Sequence, residues 1–319
     1  MLAVLRSGRH VGGPVLEELE QALARRFGVA FGVGLGSGTE ALQLAIEALE
    51  LPAGSRVAVP ALSFFATTEA VLRAGHRPVF VDVLPQLPLM DPEQVPRDVD
   101  AVVLVHLFGM RCTAPQLDVP MISDAAQCAG WGHGAPQGVA SSLSFYPSKT
   151  LAGAGDGGMV LTDSEPFAAR VRALGWHGQI GPNQHAMVGC TSRLDPVQAA
   201  VIQAQLPGLD QAVAKRRALA ERYDQRVRGL PRDPRDAVHQ YVLLDERRDQ
   251  LRQALDAAGI DSGVYYPFPM DVQTAWTGRP PRLSESRCPQ AVRFCQRSLA
   301  LPVHEDLRED EVQRILAVL

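Results

Sequence analysis

A lysine beside a glycine-rich segment is the residue of this chain best suited to covalent chemistry. Of the 31 lysine and arginine residues, only Lys149 and Lys215 are lysines. Arginine supplies positive charge equally well, but its guanidinium stays protonated and cannot attack a carbonyl carbon. A lysine that persists in such a composition is therefore a candidate nucleophile. We interpret Lys215, which Arg216 and Arg217 follow, as surface charge, whereas Lys149 directly precedes a glycine-rich loop.

Two further motifs could hold a ligand beside Lys149. Residues 36–42, GSGTEAL, place glycines at the start of a predicted helix, where free N–H groups and the helix dipole can bind phosphate. A helix that is merely capped by Ser37 or Thr39 is the alternative. Asp124 ends a predicted strand, and a buried carboxylate there needs a cation or hydrogen-bond donors. It could pair with a protonated ring nitrogen or cap a helix, and both interpretations stay open.

Taken in order along the chain, these three elements describe a site for pyridoxal phosphate (PLP). The helix start would anchor the phosphate, Asp124 would keep the pyridine nitrogen protonated, and Lys149 would form the imine with the aldehyde. Residues 153–158, GAGDGG, also match the pattern GxGxxG. A predicted strand follows this pattern instead of a helix, which excludes a dinucleotide-binding fingerprint.

A mainly parallel sheet must position these residues. Helical patterns at 41–49 and 67–74 alternate with apolar runs, which predict strands at 57–60, 79–82, 101–105, 121–123, 143–145 and 159–162. Continuous apolar strands interleaved with helices indicate an α/β sheet covered on both faces. Ligands are then expected at the strand ends and in the loops that follow them.

The last third of the chain predicts a smaller α+β unit. Helices are predicted from Pro196, with Asp195 as the capping residue, and over 209–227, with a break at Pro207–Gly208. The elements predicted after them are a strand at 239–244, a helix at 248–258, a strand at 263–266 and a helix at 309–318. We expect a large PLP-binding α/β domain over residues 1–208 and a small C-terminal α+β domain over residues 209–319.

Composition and charge narrow the possible functions. The chain has 319 residues, 46% of them hydrophobic, and its 31 basic against 35 acidic side chains give a formal net charge of −4. No strongly basic region indicates nucleic-acid binding, and no apolar run approaches the ~20 residues of a membrane span. The first residues lack a secretion signal. The five cysteines form no CxxC pair, so we expect neither a disulfide framework nor a metal site, and a cytoplasmic location fits best.

The same motifs resemble the DegT/DnrJ/EryC1/StrS family of sugar aminotransferases, which belong to PLP fold-type I, the aspartate aminotransferase-like class. The resemblance covers nearly the whole chain, and its most specific parts are SDAAQ at 123–127 and SFYPSK at 144–149. Further matching segments are VLRSGRHVGGPVLEELE at 4–20, GSGTEAL at 36–42, VPALSFFATTEAVLRAGHRPVFVDV at 59–83, VHLFGM at 105–110, GCTSRLDPVQAA at 189–200 and GVYYPFP at 263–269.

This resemblance implies a role for each matching residue. Lys149 and Asp124 would be the catalytic residues, with Lys149 bound to the cofactor and Asp124 facing its pyridine nitrogen. The remaining cofactor contacts would come from the amides of Gly38 and Thr39 and from Ser144 at the phosphate, from Phe64 stacked on the ring, and from Gln127 at the 3-oxygen.

Other matching residues are implied to act at the substrate or across a subunit interface. Such enzymes are typically homodimers with sites at the interface, and the segment around Thr191 and Arg193 would reach into the partner's site. Thr191 stands where the family usually has an asparagine that helps to bind the phosphate. Tyr265 and Tyr266 occupy the element near the sugar, which usually reads HYP.

The implied activity is conversion of a nucleotide-linked keto-sugar to an amino-sugar, with L-glutamate as the amino donor. A regulatory or partner-binding relative without transaminase activity is one alternative, and a PLP-dependent sugar dehydratase is the other. Retention of Lys149 argues against both alternatives. The dehydratases in particular carry histidine in place of this lysine. His106 and His177 lie in family-like motifs and could contact the ligand, whereas the other histidines are expected at the surface or in loops.

Overall fold

The computed structural model describes residues 1–131 and 137–319. The strands are β1 (Phe31–Leu35), β2 (Arg56–Pro60), β3 (Arg77–Val81), β4 (Ala101–Val105), β5 (Met121–Asp124), β6 (Ala140–Ser144), β7 (Gly158–Thr162), β8 (Gln179–Gly181), β9 (Gln184–His185), β10 (Tyr241–Leu244) and β11 (Ser298–Leu301). The α-helices are α1 (Leu2–Ser7), α2 (Pro14–Phe27), α3 (Gly38–Glu47), α4 (Ala66–Arg73), α5 (Glu165–Leu174), α6 (Pro196–Gln205), α7 (Leu209–Asp224), α8 (Arg248–Ala257), α9 (Thr274–Thr277), α10 (Pro289–Arg297) and α11 (Glu309–Val318).

Seven of these strands form one sheet in the order β1-β7-β6-β5-β4-β2-β3. The strands from β2 to β6 pair in parallel, whereas β7 is antiparallel to both β1 and β6. Strand β4 is buried along its whole length, as expected for a sheet with both faces covered. The predicted mainly parallel α/β fold is thereby confirmed. The apolar pattern does not predict β1, because Gly32 and Gly34 interrupt it.

The parallel strands bring the predicted site residues to one edge of the sheet. In the observed register, Asp124 at the end of β5 lies beside Val105 of β4 and Ser142 of β6. Ser144 ends β6, and Lys149 follows in the next loop. Because the carboxyl ends of parallel strands share an edge, the acid and the lysine come from neighbouring loops at that edge.

Local capping signals account for several helix boundaries. The Ser37 hydroxyl accepts the N–H of Glu40 at the start of α3 at 3.1 Å, which is the usual way to satisfy an N-terminal donor. Helix α6 begins at Pro196 as predicted, but the Asp195 side chain makes no capping hydrogen bond. In the described ranges, no helix is long and apolar enough to cross a membrane.

The C-terminal part contains a second, two-stranded sheet in which β10 pairs antiparallel with β11. The prediction of a strand at 263–266 is wrong. Of these four residues only Gly263 forms a bridge, to Ala300 of β11. The continuous pairing of β11 is with β10 instead. Strand β10 also starts later than predicted, at Tyr241.

The C-terminal part of the chain contributes residues to two hydrophobic clusters. One cluster includes Leu219, Tyr223, Leu255 and Ile315 and lies entirely within the last third of the chain. The other joins residues of that third, such as Phe294 of α10, to the core of the large sheet. The C-terminal elements therefore have a core of their own and also share one with the sheet, and the domain boundary at 208 stays a prediction.

Candidate active site

Asp124 is the acid of the candidate site. Its Oδ2 accepts a hydrogen bond from the Thr67 hydroxyl at 2.8 Å, and its Oδ1 accepts one from the N–H of Ala126 at 3.2 Å. The Ser63 hydroxyl lies 2.7 Å from that of Thr67 and extends this chain of hydrogen bonds. Burial raises the pKa of Asp124, and the two hydrogen bonds and the charge of Lys149 oppose this rise. Residues 126–127 and 129–130 form turns, and none of residues 125–131 is helical, so the interpretation of Asp124 as a helix cap is wrong.

Lys149 is the candidate nucleophile, and its side chain is half-buried. Its backbone N–H donates to the carbonyl of Tyr146 at 2.8 Å, which fixes the start of the glycine-rich loop. Burial lowers the pKa of the Lys149 amine, whereas the charge of Asp124 raises it. Burial thus favours the neutral amine that can attack a carbonyl. Lys215, by contrast, is exposed on α7, as predicted.

Gln127, in the loop after Asp124, lies next to a group of three aromatic residues. The Gln127 side-chain oxygen accepts a hydrogen bond from the N–H of Phe108. Burial and the nearby charge of Asp124 raise the pKa of the Tyr266 hydroxyl, while a hydrogen bond with Gln127 opposes the rise. The Tyr266 ring lies 6.3 Å from that of Phe64 and 5.8 Å from that of Tyr265, centroid to centroid. Phe64 is 60% exposed, which leaves its ring face available to a ligand.

A close contact between Gly38 and Ser144 forms the candidate phosphate cradle. A Cβ atom at Gly38 would lie 2.6 Å from the Ser144 Cβ, so a larger residue there would force the two elements apart. Within residues 1–131 and 137–319, the N–H groups of Gly38 and Thr39 donate to no acceptor. Ser37 caps the same helix, so the capped helix and the phosphate site predicted as alternatives are compatible.

These residues fit pyridoxal phosphate. The unpaired N–H groups of Gly38 and Thr39 and the hydroxyl of Ser144 would hold the phosphate. Asp124 would pair with the pyridine nitrogen, and Lys149 would bond the aldehyde carbon. In the described part of the chain, no group of three or more His, Cys, Asp or Glu side chains could hold a metal ion.

Thr191 and Arg193 contact a different set of residues. The Thr191 hydroxyl lies 2.8 Å from His177 Nε2, and the Arg193 guanidinium lies over the Trp176 ring at 4.4 Å from its centroid. Within the described ranges, the Arg193 guanidinium forms no ion pair with any carboxylate. The structure therefore places neither residue among the contacts of Lys149 and Asp124 in the same chain.

A cleft of about 600 Å³ opens beside Lys149, between the glycine-rich loop and the C-terminal part. Tyr265 and His239 also line it. His239 lies in the loop between α7 and β10, as the expectation of a surface or loop position allows, but its side chain is buried. Burial lowers the pKa of His239 well below its ordinary value, and the positive charges of Lys149 and Arg216 lower it further. His239 is therefore an uncharged imidazole next to the lysine.

His106 and His177 are the two histidines that the sequence indicates as candidate ligand contacts. His106 Nε2 lies 2.9 Å from the Ser123 hydroxyl, and its Nδ1 accepts the N–H of Cys112 at 3.0 Å. Both ring nitrogens are thus engaged inside the core, which indicates a structural role. Thr67, His239 and Ser192 are site-related residues that the sequence does not indicate, because their partners are distant in the chain.

The geometry agrees with what comparison with known proteins finds. All 319 residues, 1–319, match the DegT/DnrJ/EryC1/StrS aminotransferase family. The chain belongs to this family. Its fold is correspondingly similar to the crystal structure of Streptomyces venezuelae DesV in complex with a ketimine intermediate, with a TM-score of 0.91 and 33% identity over 99% of this chain and 91% of that one.

Two curated relatives carry different names. The chain is 37% identical to the UDP-N-acetyl-3-dehydro-alpha-D-glucosamine 3-aminotransferase of Acidithiobacillus ferrooxidans, over 94% of this chain and 86% of the relative. It is 32% identical to a pleiotropic regulatory protein of Geobacillus stearothermophilus, over 98% of this chain and 90% of that protein. Solved structures of further family-like proteins contain PLP or its amine form. The predicted family, enzyme class and cofactor are confirmed: this DegT-family protein is a PLP-dependent aminotransferase.

Replacement of Asp124 by asparagine separates the chemical role of the acid from its effect on stability. Because burial raises the pKa of this carboxyl in the folded protein, its contribution to stability is present at low pH and is lost as the pH rises through the folded-state pKa. We expect the cofactor-free Asp124→Asn variant to be at least as stable as the wild type at neutral pH. The difference should shrink in acid, and urea unfolding at several pH values measures it.

The same variant should lose most of its turnover when loaded with PLP, because a neutral amide cannot keep the ring nitrogen protonated. A variant that is clearly less stable at neutral pH, or one that binds PLP and turns over normally, would contradict this account of Asp124.

Proposed function

We propose that this protein transfers an amino group from L-glutamate to a nucleotide-linked keto-sugar, and that it works as a homodimer in the cytoplasm. The observation that carries the proposal is the half-buried Lys149 amine under the electrostatic influence of Asp124, next to a cleft that reaches the solvent. The UDP-sugar aminotransferase among the relatives supports the substrate class.

Bound PLP supplies an aldehyde that can exchange amino groups and a ring that accepts electrons. Lys149 Nζ would hold that aldehyde carbon, and the free amine would move a proton between the donor's α-carbon and the cofactor. A positioned base of this kind contributes about 10²–10⁴-fold to a proton transfer. Asp124 would keep the ring nitrogen protonated, Gln127 would contact the 3-oxygen, and Phe64 would cover the ring face.

The phosphate end and the sugar end are held by other residues in this proposal. Gly38, Thr39 and Ser144 bind the phosphate, and Thr191 from the partner subunit adds one hydrogen bond to it. Tyr265 and Tyr266 contact the sugar in this proposal, since Tyr265 lines the cleft beside Lys149 and Tyr266 hydrogen-bonds Gln127 within reach of the Asp124 charge.

Exposed apolar side chains support a homodimer. Large hydrophobic residues lie at the surface on the N-terminal helix, at the mouth of the site and in the segment around β8 and β9, namely Leu2, Leu5, Phe64, Tyr146, Ile180 and Val188. Exposed apolar side chains that come together in one patch mark protein–protein contact surfaces. A second copy of the chain would cover them and would bring its own Arg193 segment towards this site.

Free thiols support the cytoplasmic location. All five cysteines are unpaired, and four of them are buried. Burial raises the pKa of Cys112, Cys288 and Cys295 to about 12, which keeps these thiols protonated and unreactive. Such a set persists best where the redox environment is reducing.

A regulatory protein without transaminase activity is the second candidate, and the name of the Geobacillus stearothermophilus relative favours it. The two candidates differ in whether Lys149 engages PLP. Addition of PLP to the purified protein should produce an absorbance band near the visible edge if the aminotransferase proposal holds. Absence of the band would favour the regulatory candidate.

A screen for amine formation tests the proposed activity. Purified protein is incubated with PLP, L-glutamate and a panel of UDP- and dTDP-linked keto-sugars, and amino-sugar and 2-oxoglutarate are quantified. We expect turnover with the wild type and with Lys215→Arg, and none with Lys149→Arg, because a guanidinium provides no free amine. Lys215→Arg is the matched control, since it makes the same exchange at the other lysine.

Normal turnover by Lys149→Arg would overturn the assignment of Lys149. Failure of the wild type to aminate any of the sugars, despite a PLP absorbance band, would overturn the substrate class and leave the cofactor site intact.

Arg193 yields a prediction about the dimer. Its guanidinium, packed on Trp176 and free of a carboxylate in the described ranges, can grip the carboxylate of L-glutamate, or of a uronic sugar, in the partner's site. Loss of such a pair costs about 2–5 kcal/mol in transition-state binding, so Arg193→Ala should lower kcat/KM by roughly 30- to several-thousand-fold.

Mixed dimers test whether Arg193 acts in trans. If Lys149→Ala and Arg193→Ala protomers exchange, one of the two sites in each mixed dimer contains both an intact lysine and an intact arginine. We therefore expect partial activity from two inactive preparations. A monomer in solution, or no recovery despite demonstrated subunit exchange, would exclude the trans role.

A further inference from the structure

Ser192 is a buried serine whose hydroxyl joins two loops that are far apart in sequence. Its side chain is 2% exposed. The Ser192 Oγ donates to the Glu40 carboxylate at 2.8 Å and accepts the N–H of Gly36 at 3.1 Å. Both the donor and an acceptor position of the hydroxyl are therefore used, and both partners belong to the segment that begins α3.

On one side of Ser192 lies the candidate phosphate cradle. Gly36 and Glu40 flank Gly38 and Thr39, whose N–H groups are the proposed phosphate donors. A carboxylate in the first turn of a helix would repel a phosphate bound at the same helix end. The Ser192 hydroxyl holds the Glu40 carboxylate close to Gly36. A Cβ atom built at Gly36 would lie only 2.6 Å from the carboxylate oxygen.

On the other side of Ser192 lies the segment that carries Thr191 and Arg193. The Ser192 N–H donates to the Gly175 carbonyl at 2.9 Å, and Thr191 forms a bridge with Trp176. The Trp176 ring in turn carries the Arg193 guanidinium. The backbone of Ser192 thus belongs to the segment that carries Arg193, while its hydroxyl ties that segment to the start of α3.

We propose that Ser192, through its hydrogen bond to Glu40, is a positioning residue that fixes the phosphate cradle and the Arg193 segment relative to each other. The inference rests on the proposed roles of Gly38, Thr39 and Arg193. Arg193 is proposed to serve the partner's site. The Ser192 hydroxyl would therefore affect PLP binding in its own subunit and L-glutamate binding in the partner subunit.

PLP titration of the cofactor-free protein provides the first test. Ser192→Ala removes hydrogen bonds that include one to a charged group, and we expect its dissociation constant for PLP to rise by about ten- to a hundredfold. Ser298→Ala is the matched control. Ser298 is also fully buried, but its hydroxyl has no hydrogen-bond partner in the described part of the chain, so the control deletes the same atom without losing a bond.

A double-mutant cycle provides the second test and separates positioning from a general loss of order. Ser192→Ala should raise the KM for L-glutamate in the wild-type background, because the hydroxyl no longer ties the Arg193 segment to the start of α3. In an Arg193→Ala background, Ser192→Ala should leave that KM unchanged, whereas its effect on PLP affinity should persist. If Ser192→Ala does not fold, Ser192→Cys replaces it, because cysteine fills the same space with a weaker hydrogen-bonding group. This variant should change the PLP affinity and the KM for L-glutamate in the directions expected for Ser192→Ala.

The outcomes distinguish the inference from the function on which it rests. If the wild type binds no PLP, the proposed function fails. If the wild type binds PLP and Ser192→Ala binds it as tightly as Ser298→Ala does, Ser192 is not a positioning residue. An unchanged glutamate KM in Ser192→Ala, or an equal rise with and without Arg193, would likewise overturn the link to Arg193.

Discussion

The partial burial of an amine beside a carboxylate is the constraint on which the rest of the structure depends. Taking either charge out of water alone costs several kcal/mol, and each group here offsets part of the cost of the other. Burial lowers the pKa of Lys149 and raises that of Asp124, and their mutual attraction opposes both shifts. A ligand that changes the charge between the two groups would therefore change the pKa of both.

The fold supplies the precision that this pair requires. Parallel pairing of β4, β5 and β6 places Asp124 and the loop of Lys149 at one edge of the sheet, and the hydroxyl of Thr67 fixes the orientation of the carboxylate. The cradle at Gly38 lies against Ser144, in the strand that leads to Lys149. The proposed roles of anchoring, protonation and nucleophilic attack would thus belong to neighbouring loops of one sheet, which is how an active site keeps its reacting groups in place.

The sequence predicted those parts whose signal is local. Strand β4 and helix α11 match their predicted bounds, because an uninterrupted apolar run and an amphipathic period define them. Lys149 stood out because the chain has only one other lysine. The sequence did not predict strand β1, because its glycines interrupt the apolar pattern. Residues 263–266 were wrongly predicted as a strand, because tertiary contacts decide which segment pairs with β10. Thr67, Ser192 and His239 could not be found in this way, since their importance arises from contacts across 57 residues or more.

The most direct measurement of the central claim is borohydride reduction of the PLP-loaded protein, followed by mass-spectrometric mapping of the modified peptide. Reduction makes the bond between a lysine amine and the cofactor permanent, so the label reports which lysine carries PLP. The account predicts a single label, on Lys149, and none on Lys215. A label on Lys215, or no label on a protein that retains bound PLP, would contradict it.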